Sequence, residues 1–153
     1  MARLSILLRD TAGAAAIELA MLAPVLAGMV VGMIDISTVC SDKLRLEQVS
    51  QRMIEKVQQS GFKASMETAI ETEAQAGAGA GAVADLTYWL ECNGVKMTGA
   101  SAYTTGCPDG QQNARYVQVD IVRTVTPLIL AHFTGSNANG TITINGTAGI
   151  RIQ

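Results

Sequence analysis

From Ala12 to Ile34 the chain carries 23 residues with a single charge among them, Glu18. About 20 apolar residues at 1.5 Å rise cross a hydrocarbon core of roughly 30 Å, so this run is long enough to span a membrane as a helix. It is also longer than the apolar region of about 7–15 residues in an ordinary secretory signal, and no small-residue cleavage site follows it. Arg3 and Arg9 precede the run, whereas Asp35 and Asp42 follow it. The positive-inside rule therefore places the N-terminus in the cytoplasm and exports the chain beyond about Ile36. A charge at the centre of a membrane helix costs roughly 2.5–3.5 kcal/mol, which a passive anchor has no reason to carry.

The run has further internal features. Pro24 lies inside it, a position that membrane helices accept with a kink. Gly28 and Gly32 form a G-x-x-x-G pair that lets neighbouring helices approach closely, although Gly is common in membrane helices in any case.

Past the run, Ser37 to Ser60 continues as an amphipathic helix. Val39, Leu46, Val49, Met53 and Val57 form its apolar stripe, and Gly61 ends it. A second helix is expected over Phe62 to Ala76. The alternating Gly and Ala of 77–84 read as a flexible linker, because Gly opposes a stable helix.

The rest reads as strands. Leu86 to Cys92 alternates, Asn93-Gly94 offers a type I′ turn, and Val95 to Met97 returns. Tyr116 to Val125 sets Val117, Val119, Ile121 and Val125 on one side, and Pro127 stops it. Pro127 to Phe133 is a short apolar loop or helical turn, and Asn137 to Gly140 is another turn. Thr141 to Ile152 alternates cleanly, with Ile142, Ile144, Ala148, Ile150 and Ile152 facing one way. One apolar and one polar face imply an antiparallel sheet packed on helix. The expected class is thus α+β: a long N-terminal membrane helix continuing as an amphipathic stem, a second helix, and a small antiparallel sheet as the head.

The basic leader, Gly13, four small or apolar residues, Glu18 and the long apolar run together resemble a type IV-type prepilin. The chain is similar to the TadE-like family of minor pilins, or pseudopilins, of the tight-adherence pilus. That resemblance implies cleavage by a prepilin peptidase between Gly13 and Ala14, which makes Glu18 mature position five. Leu19 stands where many members carry an aromatic residue. The carboxylate would then pair with the freed amine of a neighbouring subunit, so that two charges costly in lipid offset each other only in one stacking register. The resemblance extends to Tyr116-Val117-Gln118-Val119, to Pro127-Leu128, to the Thr-rich last strand ending at Arg151, and to a Cys pair ahead of the Tyr-Val strand.

The implied division is a leader over 1–13, a membrane helix over 14–36, a helical stem over 37–76, a linker over 77–84 and a disulfide-closed head over 85–153. Cys92 and Cys107 are expected to pair in an oxidising compartment, leaving Cys40 at the membrane edge. The implied partners are other pilins and pseudopilins, the prepilin peptidase, the inner-membrane assembly platform and membrane lipid. The implied location is the bacterial inner membrane, with the head outside the cytoplasm.

Composition narrows the alternatives. A net charge of −2 and no Lys/Arg cluster argue against nucleic acid as a partner. His132 stands alone in an apolar context, and no His/Cys/Asp spacing suits zinc, so neither metal nor cofactor is expected. The Gly-rich run lacks the Gly-Lys-Ser/Thr ending of a phosphate loop, and no Gly-x-Ser-x-Gly is present. Asn139-Gly140-Thr141 and Asn145-Gly146-Thr147 match a glycosylation sequon that carries no weight in a bacterial chain. No enzymatic activity is expected. The competing function is a single-span envelope protein that keeps its leader and binds a surface ligand through its head.

Overall fold

The computed structural model describes residues 11–97, 100–128 and 136–152. Arg3 and Arg9 of the leader, and Ile129 to Phe133 with His132, lie outside the described residues.

Helix α1 runs unbroken from Thr11 to Ser60, 50 residues or about 75 Å. Pro24 sits inside it without ending it. Gly61, at φ 72°, provides the left-handed residue that terminates the helix. A 3₁₀ turn over Ala64–Met66 leads into α2, Glu67–Ala78. The strands are β1 (Ala82–Cys92), β2 (Val95–Lys96), β3 (Asn113–Val125) and β4 (Ile142–Arg151), with a short helix α3 (Ala100–Thr105) between β2 and β3. They form one antiparallel sheet in the order β2-β1-β3-β4. The α+β class and the order of elements agree with the sequence reading.

The Asn93-Gly94 hairpin forms as expected. Both residues have positive φ, 50° and 79°, as a type I′ turn needs. Val117, Val119 and Ile121 of β3 are buried, as are Ile144 and Ala148 of β4. The period of two thus turns one face of the sheet toward the helices. The stem stripe Leu46, Val49, Met53 and Val57 is buried against that face, with Val39 partly buried beside it.

Two expectations change. Residues 77–84 are not a flexible linker: α2 runs through Ala78, the turn is confined to Gly79–Gly81, and β1 begins at Ala82. Packing overrides the poor helix propensity of that run, because its small residues let α2 lie close to the stem. Ala74 and Ala78 are buried, and a side chain on Gly77 would meet Val49 Cγ1 at 3.2 Å. Nor are stem and head separate units. Leu46, Val49, Met53, Ile54 and Val57 of α1, Ile70 and Ala74 of α2 and the inward residues of β1, β3 and β4 form one hydrophobic core.

Gly146 is the closest point of that packing. A Cβ there would lie 2.5 Å from the carbonyl carbon of Leu46 and 2.8 Å from the Glu47 nitrogen. Backbone of β4 therefore rests directly on backbone of α1. Polar ties flank it: Lys43 Nζ donates to the Asn145 carbonyl, and Arg123 forms an ion pair with Asp42 at 3.1 Å. Nearer the apolar run, the Leu128 amide donates to Asp35 Oδ1 at 2.9 Å, and Asp35 is only 4 % exposed.

Candidate assembly helix

The first half of α1 is uncovered. Every residue from Ala16 to Val30 is exposed, including Ile17, Leu19, Met21, Leu22, Val25, Leu26, Met29 and Val30. This is one helix long and apolar enough to cross a membrane, and none of its most apolar window is buried within the chain. The stem half of the same helix, beyond Asp35, instead covers the sheet. One element is thus uncovered in one half and packed on the sheet in the other, and the change falls where its apolar run ends.

Glu18 is exposed on this helix and, among the described residues, makes no ion pair. At 3.6 residues per turn, Gly32 lies about 40° and Gly28 about 80° round the helix from Glu18, in the same sense. The carboxylate and the two glycines therefore share one side. No atom comes within 4 Å of a Cβ built on Gly13, Gly28 or Gly32. The backbone there is open to a neighbouring helix, and nothing among the described residues requires these glycines. Gly13 falls in the first turn of α1, and Ala14 follows it in the same helix.

Cys92 and Cys107 are bonded, with Cα atoms 5.6 Å apart, and Cys40 is free and exposed on α1. The disulfide ties the end of β1 to the loop after α3. Beside it Phe62, Tyr88 and Tyr103 pack ring to ring at 5.0–5.8 Å, and Arg115 Nε donates to the Tyr103 carbonyl at 3.0 Å. Burial raises the Tyr103 hydroxyl above its ordinary pKa, offset in part by Arg115. This end of the head lies farthest from the apolar run.

Opening the disulfide should destabilise the head substantially. A closed loop of 15 residues is worth about 3 kcal/mol in the chain-entropy model. The Cys92→Ser/Cys107→Ser chain in detergent should therefore unfold at clearly lower urea, followed by the fluorescence of Trp89. An unchanged midpoint would show that the loop is held by the aromatic cluster alone.

The outer sheet face carries a different set. Trp89 and Tyr116, opposite each other in register, stack at 5.3 Å with Lys96 over the indole at 4.4 Å. Gln118, Asp120 and Thr147 are joined by hydrogen bonds of 2.7 Å. Both faces of the indole are thus occupied. Among the described residues no group of three His, Cys, Asp or Glu could hold a metal ion.

The decisive comparison falls on α1. Residues 13–52 match the TadE-like protein family. The match spans 40 of the 153 residues, begins at Gly13 and takes in Glu18, Gly28, Gly32, Asp35 and Asp42. No curated protein and no solved structure matches the chain. The TadE-like segment covers the exposed half of α1 and the first part of the stem. The four strands lie outside it.

The structure sets Glu18, Gly28 and Gly32 along the uncovered half of α1. Sequence reasoning found the disulfide pair but missed Asp35, Asp42, Gly146 and the Phe62–Tyr88–Tyr103 cluster. Asp35 and Asp42 were legible only as charges flanking the run, since their partners lie 93 and 81 residues away. The aromatic cluster joins three distant elements and has no local signal.

Proposed function

We propose that the chain is a minor pilin or pseudopilin of a tight-adherence-type pilus, which acts by packing its N-terminal helix against those of other pilins. The observation that carries the reading is the TadE-like segment itself: it begins at Gly13 on an uncovered apolar helix, with the Glu18 carboxylate and Gly28 and Gly32 on one side. Such a helix needs lipid before assembly and other helices after it. Its partners are then other pilins, the prepilin peptidase and the inner-membrane assembly platform. In this reading the N-terminus faces the cytoplasm, the head lies outside, and the chain catalyses nothing.

Cleavage after Gly13 tests the reading. Removing residues 1–13 takes away two Arg and one Asp, so the formal net charge changes from −2 to (11 − 2) − (13 − 1) = −3. Co-expression with a prepilin peptidase should give a shortened protein with Ala14 at its N-terminus, and a bulky residue in place of Gly13 should block the shift. An N-terminus at Met1 or Ala2 in the presence of active peptidase would favour a membrane-anchored binding protein instead.

A further inference from the structure

The membrane-proximal end of the head sits at the level where the apolar run stops. Ala12 to Ile34 covers about 34 Å along the helix, against a hydrocarbon core of roughly 30 Å. Asp35 follows immediately and accepts the Leu128 amide at 2.9 Å. The turn after β3 is thereby fixed to the first residue past the span. The next tie upward, Asp42–Arg123, is seven residues or about 10 Å higher along α1. No stalk separates head from bilayer.

Pro127 is buried, but the Leu128 side chain is 76 % exposed, more than any other large apolar side chain described on the head. Ile34 and Ile36, on either side of Asp35, are also more than half exposed. Asp35 itself is 4 % exposed. A carboxylate at the edge of a bilayer loses water and needs a donor, which the Leu128 backbone supplies. Leu128, Ile34 and Ile36 are thus exposed at this level, while the Asp35 carboxylate is buried.

We propose that this end of the head is a foot resting on the lipid surface, with the Leu128 side chain inserted among the headgroups and upper acyl chains. The occupant is lipid because Leu128 is held level with the end of the span, so a chain anchored by α1 brings it to the interface without any further movement. The foot would fix the head upright and set the depth of α1. The proposal rests on the membrane span and not on the pilin reading. Leader cleavage can fail while the foot stands, and the reverse.

The test uses the full chain in phosphatidylcholine vesicles. Leu128→Trp in a Trp89→Phe background should lose emission when bromine is carried high on the acyl chains, and lose less when it lies near the bilayer centre. The parent protein, with Trp89 on the outer sheet face, should lose none. Because indole itself favours interfaces, a second measurement uses Leu128→Cys in a Cys40→Ser background, bearing a nitroxide. It should collide more with oxygen than with a water-soluble nickel complex, and Thr87→Cys should show the opposite. An introduced indole no more quenched than Trp89, a nitroxide as nickel-accessible at 128 as at 87, or quenching of Trp89 itself, which would mean a head lying flat, would each overturn the foot.

Discussion

Gly146→Ala should loosen the head from the stem, at a cost near or above the top of the usual overpacking range of about 1–3 kcal/mol. The added methyl would lie 2.5–2.8 Å from backbone atoms of Leu46 and Glu47. Backbone inside a continuous helix cannot rotate out of the way as a flexible side chain would. Relief therefore requires β4 and α1 to separate, and that separation weakens contacts of Leu46, Val49, Ile144 and Ala148 together. Gly149→Ala is the control. It lies in the same strand on the opposite face, and its Cβ would meet nothing closer than the Val117 carbonyl oxygen at 3.4 Å. Urea unfolding in detergent, followed by Trp89 fluorescence, should show a large drop in midpoint for Gly146→Ala and little change for Gly149→Ala. Equal midpoints would mean that α1 and β4 are not in the contact described.

Gly146 also shows where the sequence stops being informative. Its neighbours Ile144 and Ala148 announce the inward face by simple alternation, because strand periodicity is a local property. The stem stripe and the Asn93-Gly94 turn were legible for the same reason. The glycine is explained only by a helix a hundred residues earlier in the chain, and read locally it belonged to a meaningless sequon. The Gly/Ala run was misread in the opposite direction. Its local preference is for a loose chain, but Ala74, Gly77 and Ala78 are small so that α2 can lie against Val49 and the sheet. In both places long-range packing selects the residue, and propensity does not. The exposed half of α1 was legible as a long apolar helix because length and composition are local properties. Among the described residues, Glu18 has no ion-pair partner and Gly28 and Gly32 meet no side chain.

Glu18→Ala should leave membrane insertion intact and abolish incorporation into pili. Insertion should be as good or better, since the substitution removes a charge costing roughly 2.5–3.5 kcal/mol at the centre of a membrane helix. In an assembled bundle the same carboxylate would face the cleaved N-terminal amine of a neighbour, where helix dipole and amine add positive charge. Removing one member of a buried pair leaves the other uncompensated, at a cost of about 3–5 kcal/mol, a factor of a hundred or more in the assembly equilibrium. Glu18→Gln separates charge from shape. It keeps the length and an acceptor oxygen but not the negative charge, so it should fail nearly as fully as Ala, whereas Glu18→Asp should retain part of the activity. Membrane fractionation and counts of the subunit in sheared surface pili measure the two effects separately. Pili containing Glu18→Ala subunits at normal abundance would show the carboxylate to be incidental. Rescue by Gln alone would show that hydrogen bonding, and not ion pairing, sets the register between helices.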